Sequence, residues 1–588
     1  MSAPHPPRDD RWKGAMALSV VGCAVTLLAA LSPADGLRLG ETAVRISYPE
    51  AWRAWLNPSP APIVVPRWKP EDVSDLLAQY DSNWTAATAE EVPTDSIKAP
   101  ATAAEADSTA QLLPPGISST ALLPDTAKTP ASASLPVSAV AQKEAHNPPP
   151  SKRTPVNIPD ASALPPALRL SIPESARWAF GQLFERLDRH ENIQVLHYGD
   201  SQIEGDRISG MMRHAWQKRW GGSGPGLQAP VPLVQSFALR QSHTGAWKRH
   251  TRYGRRDTTD ADERYGLLAC YAELEDSTGA PACLTVAPEP RNHKQFGQWN
   301  GLRVWHDAVD TDCHVAVNGI PLDTLKAGTA ASVLELNTTW NSGDPSLLAT
   351  GADRPTQPLA MEVCFQGGTP RIFAIEPQGQ GVQWHGVPMR GSSGTLFRKL
   401  DRPHFTGQLQ ALAPDLVILQ YGGNVVPHCK DLAQAERFGG WFGSQIRLFQ
   451  RVLPEAAILV IGPSDMSEKT GLQWTSFPQL AAVRDVLKRT ALENGAGYWD
   501  LLEVMGGLGS MPAWVDSEPA LAGPDHVHFT PLGAKKVGTL LDRSFLGCYS
   551  EWKQDWLKPA PKAMSKRPSA PVVPSGPSSP ALETDGLR

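Results

Sequence analysis

Apolar residues recur at helical spacing from Ala176 to Arg189 (ARWAFGQLFERLDR), then form a short run, Ile193 to Tyr198, that stops at Gly199-Asp200-Ser201. A run this short, bounded by glycine, predicts a buried strand, and Ile203 to Trp220, closed by Gly221-Gly222, predicts a helix. Ser201 therefore falls at a strand-to-helix turn. From about Val231 to Gln380 the texture changes to short apolar stretches: Ala282–Ala287, Leu302–Trp305, Cys313–Val317, Met361–Phe365 and Ile372–Ile375. Asn318-Gly319 is a hairpin signal. Strands in such close succession predict an antiparallel sandwich. From Leu409 the helix–strand alternation returns. Asp415–Tyr421, Ala456–Ile461 and Gly497–Leu501 read as strands; Phe438–Leu453, Leu480–Asn494 and Gly533–Leu546 read as helices. Alternation of this kind predicts a parallel sheet with helices on both faces, and functional groups at the carboxyl ends of its strands.

Outside this body the pattern is different at each end. Gly14 to Ala34 holds 21 residues without a charge, preceded by Arg8, Arg11 and Lys13. Such a stretch just spans a hydrocarbon core of about 30 Å, and the flanking charges leave residues 1–13 in the cytoplasm and the rest outside it. A cleaved signal peptide, with small residues around Ala29-Ala30, and a lipoprotein site at Cys23 are rival readings. Residues 35–82 carry a few apolar positions (Trp52, Trp55, Trp68, Leu76) that could dock on the body. Residues 83–166 are a Pro/Ala/Ser/Thr linker, with 14 prolines between Pro93 and Pro166, and 550–588 is a tail with 7 more. These segments cannot bury enough apolar surface to offset the entropy of ordering them. The linker reads as a semi-extended spacer.

Composition narrows the function classes. The chain has 588 residues, 20% of them charged, and a formal net charge of -5. That balance excludes a protein organised around nucleic acid, which needs a concentrated basic excess. Of the seven cysteines none forms a C-x-x-C pair, so neither a zinc nor a redox site is supported; disulfides and small buried residues are equal readings. Trp247, Trp299, Trp305, Trp340 and Trp384 could be sugar-stacking platforms or core.

Three segments carry chemistry. Nucleophilic acyl transfer needs a hydroxyl, a base, a group that orients the base, and donors for the oxyanion. Ser201 can be the nucleophile, His528 the base and Asp525 its orienter. The Ser201 N–H, the Asn424 amide after its strand, and a glycine N–H in Arg390-Gly391-Ser392-Ser393-Gly394 can serve the oxyanion. Asp200 and Arg390 are candidate substrate contacts, although a surface salt bridge suits Arg390 equally. Glu204 and Asp206 read as a solvated helix face, Asp465 as a helix cap, His526 as a loop residue, and His197 and Tyr198 as buried. His385 and His428 lack metal-ligand spacing.

Gly199-Asp200-Ser201, Gly391-Ser392-Ser393-Gly394, Gly422-Gly423-Asn424 and Asp525-x-x-His528 resemble, in order, the four motif blocks of the SGNH/GDSL hydrolase superfamily. The resemblance covers about Glu191–Gly224 and Gly386–Leu546. It implies a flavodoxin-like three-layer α/β/α fold in two parts, 167–230 and 381–549, with the β-sandwich of 231–380 inserted. It also implies a Ser201–His528–Asp525 triad and an oxyanion hole of Ser201, Gly394 and Asn424; acyl-serine chemistry of this kind needs no cofactor, and the histidine spacing predicts no metal. Gln202 departs from the family's usual Leu. Gly-Asp-Ser-Gln-x-Glu, the insertion, and Tyr498-Trp499-Asp500 through Met505-Gly506-Gly507 further resemble the exported branch acting on O-acetylated polysaccharides. Its peptidoglycan O-acetylesterases carry a carbohydrate-binding-like sandwich at this place. The expected function is removal of O-acetyl groups from an envelope or exported glycan by an enzyme anchored in the inner membrane. An O-acetyltransferase, a lipase or thioesterase, and a non-catalytic glycan-binding scaffold are the alternatives.

Overall fold

The structure is a computed structural model that describes residues 164–254, 262–275, 281–299, 301–337, 360–368 and 370–556, and the backbone of 37–39 and 42–44. The chain divides into two compact units, 1–66 and 67–588. In the first, Leu37–Leu39 and Thr42–Val44 pair as an antiparallel hairpin. Among the described residues no helix is long and apolar enough to cross a membrane. The expected span 14–34, the docking tryptophans of 35–82 and nearly all of the linker lie outside the described residues.

The body of the second unit is a five-stranded parallel sheet. In chain order its elements are α1 (Glu174–Asp188), β1 (Ile193–Gly199), α2 (Arg207–Trp220), β2 (Val382–Pro388), α3 (Arg402–Leu412), β3 (Leu416–Gln420), α4 (Leu432–Val452), β4 (Ala457–Ile461), α5 (Leu480–Glu493), β5 (Gly497–Trp499) and α6 (Pro531–Glu551). The strands lie in the order β2-β1-β3-β4-β5, all parallel. This is the flavodoxin-like order, whose switch point falls between β1 and β3. Alternate side chains of each strand face opposite layers. Val195, Leu416, Leu459 and Ile461 pack under α1, α2 and α6. Leu196, Tyr198, Leu419 and Val460 pack under α3, α4 and α5.

The edge strand β2 has no clear signal in the sequence, where the β-rich stretch ends at Gln380 and the helix–strand alternation resumes only at Leu409. Val382-Gln383-Trp384-His385 mixes polar and apolar residues, and two of these find partners only in the fold. His385 Nδ1 accepts the Leu227 N–H at 2.9 Å, and Trp384 is fully buried against Trp216. The long helices also begin earlier than their apolar spacing suggests. Asp431 caps α4 by accepting the Gln434 N–H, and Thr530 caps α6 by accepting the Gly533 N–H. The body extends further at both ends than expected. Leu164 is buried in the core, and Trp552 packs on Phe184 at 5.8 Å.

Between α2 and β2 the chain makes two five-stranded antiparallel sheets. One orders Ile320–Leu325, Cys313–Val317, Met361–Gln366, Ala282–Pro288 and Leu239–Thr244; the other orders Ser332–Asn337, Gly301–His306, Arg371–Gln378, Cys270–Leu274 and Trp247–Thr251. Asn318 and Gly319, both at positive φ (50° and 78°), close the expected hairpin. The second sheet has two buried faces. Leu302, Val304 and Ile375 fill the sandwich, while Trp305, Tyr271 and Phe373 join the core of the parallel-sheet domain. Polar ties cross the same junction: Tyr198 Oη donates to the Leu267 carbonyl at 2.9 Å, and the Leu267 N–H donates to Gln408 Oε1 at 2.8 Å. The insertion is thus packed against its host over a shared core.

Trp247, Trp299, Trp305 and Trp384 are all at most 9% exposed, so they are core residues and offer no platform; Trp340 lies outside the described residues. Cys283 and Cys364, opposite each other on paired strands, are joined as a disulfide. Cys270, Cys313, Cys429 and Cys548 are buried thiols. Among the described residues the one cluster of potential metal ligands within mutual reach is Cys283, Glu362 and Cys364, and its two thiols are already joined to each other.

Candidate active site

Parallel pairing sets Gly199 at the end of β1 opposite Gln420 at the end of β3. The residues that follow each, Asp200-Ser201 and Gly423-Asn424, therefore emerge side by side at the switch point. His528 comes from a loop ahead of α6, 327 residues after Ser201. Ser201 Oγ lies 2.8 Å from His528 Nε2, and His528 Nδ1 lies 2.7 Å from Asp525 Oδ2. The other carboxylate oxygen of Asp525 accepts the backbone N–H groups of Val527 and His528, both at 3.0 Å. Burial alone would raise the Asp525 pKa. The hydrogen bonds from the His528 ring and from these two backbone groups outweigh it and hold the carboxyl well below the usual range, so it is ionised throughout the working pH. A hydroxyl, an imidazole and a carboxylate in this linear contact form a general-base relay.

The helix expected from Ile203 does not start there. Ser201–Asp206 forms a 3-10 turn, broken at Glu204 (ψ 151°) and Gly205 (φ 68°), and α2 begins only at Arg207. The kink redirects side chains read as a solvated face. Asp206 turns inward to a buried ion pair with Arg213, with Arg213 Nη2 2.9 Å from Asp206 Oδ1. Glu204 takes a bidentate pair from Arg390, at 2.7 Å for both contacts. Arg390 is thereby engaged as a salt bridge and is absent from the residues lining the cleft.

The cleft over Ser201 has a volume of about 230 Å³; Asn424, Gln420, Met466, Phe477 and His528 are among the residues lining it. Asp200 also borders it, but its carboxylate is buried and works inward. Oδ1 accepts the Gln202 N–H at 3.0 Å, and Oδ2 accepts from Asn424 Nδ2 at 3.1 Å. Burial raises its pKa to about 6, against the hydrogen bonds from Gln202 and Asn424 and the nearby His528, which lower it. Asp200 is thus a positioning residue for Asn424. The Asn424 amide also donates to the Ser392 carbonyl at 3.2 Å, so one of its N–H groups must turn from these acceptors to reach an oxyanion. Gly394 holds φ 73°, and a Cβ there would sit 2.5 Å from the Tyr421 ring, which explains the glycine. Its N–H, expected to serve the oxyanion, donates to Ser392 Oγ at 3.1 Å, and Gly394 is absent from the cleft lining, which does include Gly423.

Two residues that pattern reasoning passed over tie the nucleophile to the histidine loop. Gln202 Nε2 donates to the Val527 carbonyl at 2.7 Å and Gln202 Oε1 accepts the Phe529 N–H at 3.4 Å, bracketing His528. Arg207 donates to the Ser201 carbonyl at 3.0 Å and to the Phe529 carbonyl at 2.7 Å. The signal for Gln202 was present, because it was the departure from Leu after the serine. Asp465 is fully buried; it accepts from Ser476 Oγ at 2.6 Å and from the Met511 N–H at 2.7 Å, so it caps the first turn of the distant helix Ser510–Val515 instead of one of its own.

Residues 364–536 match the GDSL-like lipase/acylhydrolase family. That stretch contains Gly394, Asn424, Asp525 and His528, whereas Ser201 lies before it, on the far side of the insertion. None of the curated proteins matches the chain in sequence. Among solved structures, one titled "Peptidoglycan O-acetylesterase in action, 5 min" is 22% identical, with a TM-score of 0.51 over 65% of this chain and 99% of that one. A family two carbohydrate esterase from Clostridium thermocellum (11% identity, TM-score 0.21, 53% of this chain and 99% of that one) also matches. So does a salicylyl-acyltransferase from a tetracycline biosynthetic pathway (14% identity, TM-score 0.22, 53% of this chain and 96% of that one).

Proposed function

We propose that this chain, whose residues 364–536 match the GDSL-like lipase/acylhydrolase family, is a serine esterase that removes O-acetyl groups from a cell-envelope or exported polysaccharide outside the cytoplasm. The observation that carries the reading is the unbroken Ser201–His528–Asp525 contact at the mouth of the cleft. Ser201 Oγ attacks the acetyl carbonyl carbon while His528 Nε2 takes its proton. Asp525 holds the Nδ1–H and stabilises the imidazolium. The oxyanion is met by the Ser201 N–H and by the Asn424 amide, turned from its resting acceptors. On collapse, His528 returns the proton to the departing sugar hydroxyl and the acetyl group stays on Ser201. A water, deprotonated by His528, then releases acetate and restores the serine. Every proton is accounted for by His528, and no cofactor is required.

The glycan substrate is supported by three things: the fold likeness that runs through nearly all of a peptidoglycan O-acetylesterase chain, the sandwich packed on the hydrolase domain over a shared core, and the Pro/Ala/Ser/Thr spacer. In this reading the sandwich is carbohydrate-binding-like, and residues 14–34 tether the enzyme to the inner membrane while the spacer carries the body into the periplasm or extracellular space. The test is acetate release from O-acetylated peptidoglycan and from p-nitrophenyl acetate, each beside Ser201→Ala. Ser201-dependent release from both is expected. Release from the small ester alone would remove the glycan from the reading. Release only on addition of a sugar acceptor would make the protein a transferase.

A further inference from the structure

The antiparallel hairpin Ser467–Thr470/Gln473–Ser476 follows β4 and has no counterpart in the helix–strand alternation. It grows out of the cleft wall. Met466 and Phe477, which flank it, both line the cleft and are joined by the Phe477 N–H donating to the Met466 carbonyl at 3.1 Å. Its base is fixed twice more, by Ser476 Oγ on the buried Asp465 and by the Ser467 N–H on the His526 carbonyl at 3.0 Å. From this base the hairpin projects two apolar side chains into solvent. Leu472, beside the turn glycine Gly471, is 96% exposed, and Trp474 is 39% exposed.

Trp474 is held in an unusual way for an exposed side chain. One face of its indole stacks on the His526 ring, with centroids 3.7 Å apart and planes 15° apart. His526 is itself buried, takes φ 54°, and lies two residues before the catalytic His528. The ring is thus rigid on one side, open on the other, and fastened to the loop that carries the base. Trp247, Trp299 and Trp305 of the sandwich, by contrast, are buried. Around Trp474 the hairpin is polar: Glu468, Lys469, Thr470, Gln473 and Thr475, with the Thr470 and Thr475 hydroxyls 3.0 Å apart. A flat apolar face ringed by hydrogen-bonding groups matches a pyranose, which has one C–H-rich face and a rim of hydroxyls; it does not match a lipid core, where the flanking Glu468 and Lys469 would be stranded.

We propose that Trp474 is the stacking residue of a saccharide subsite beside the acyl cleft, taking a sugar ring of the glycan whose ester Ser201 cleaves. This rests on the glycan esterase reading above. The full chain carrying Trp474→Ala is compared with wild type on O-acetylated peptidoglycan and on p-nitrophenyl acetate. A rise in KM that lowers kcat/KM about 3–10-fold is expected on the polymer, with no change on the small ester, and Trp474→Phe should recover most of the loss. Equal losses on both substrates would show that the hairpin acts only through the histidine loop and would overturn the subsite; so would no loss on the polymer. A second arm separates failure of the subsite from failure of the esterase reading. The Ser201→Ala protein, with and without Trp474→Ala, is sedimented with peptidoglycan sacculi and with anionic lipid vesicles. Trp474-dependent binding to sacculi supports the subsite even where no acetate is released. Binding to sacculi that ignores Trp474, or Trp474-dependent binding to vesicles alone, overturns it.

Discussion

In the sandwich, Trp305 Nε1 donates to Glu376 at 3.0 Å, Arg303 reaches the same carboxylate at 3.4 Å, and Glu376 is 1% exposed. At the head of the parallel sheet, Asp200 is buried to a similar degree and also hydrogen-bonded, yet its neighbours Ser201, Asn424 and His528 open onto a cleft. Both regions hold a carboxyl whose pKa burial raises. They differ in what surrounds it. Antiparallel strands pack the sandwich residue against residue, so an aromatic or charged side chain is consumed by its partner. At the switch point the connections after β1 and β3 diverge to opposite faces of the sheet, and the space between them cannot be closed by side chains. Residues that look conspicuous in the sequence therefore become functional in one region and structural in the other.

The sharpest break of this comparison is Asp525→Asn. It should lower kcat on the order of 10⁴-fold, by misplacing the His528 proton, with little change in melting temperature; an equal drop in stability would mean the residue holds the loop rather than the ring. In the sandwich the signs reverse. Trp305→Ala should cost about 3–5 kcal/mol of stability by denaturant titration, since it empties a core site and strips the buried Glu376 of a donor. The folded fraction should turn over p-nitrophenyl acetate at the wild-type rate. Next in size, Asn424→Ala should lower kcat by about 10²–10³-fold with KM nearly constant, the mark of a donor used in the transition state.

The finest distinction is a pH dependence. Asp200 in the folded protein titrates near 6, above its unfolded value, so between about pH 4 and 6 the folded state binds more protons. Its contribution to stability is therefore fully present below pH 4 and falls as pH rises through 6, by about 2–3 kcal/mol. Asp200→Asn should flatten the decline of stability between pH 4 and 6.5, read by denaturant titration at each pH. It should also lower kcat, because Asn424 loses its carboxylate acceptor. A decline as steep as that of the parent chain would assign the pH dependence to another group.

Much of this was readable along the chain. Four of the five parallel strands, the sandwich between them, the Asn318-Gly319 hairpin and the Ser201, Asn424 and Asp525-x-x-His528 blocks are local patterns, because strand period, turn residues and glycine bounds act over a few neighbours. The edge strand β2 was missed because its mixed pattern reflects contacts with Leu227 and Trp216, far away in sequence. Glu204 and Asp206 leave the solvated face because the chain kinks at Gly205, where the local pattern predicts continuous helix, whereas Arg390, for which the sequence allows a salt bridge or a substrate contact equally, takes the salt bridge.

By itself the sequence determined which residue types stand at the ends of which strands, and so the class of chemistry. It did so because acyl transfer demands a hydroxyl, a base and an orienter in short, recognisable blocks. Only the tertiary structure decided that Ser201 meets His528 across the whole insertion, that Gln202 and Arg207 bind those two ends together, and that Trp474 is open while Trp247, Trp299 and Trp305 of the sandwich are closed. These are outcomes of packing between segments hundreds of residues apart, where exposure and partnership belong to the assembled fold and leave no mark on local periodicity.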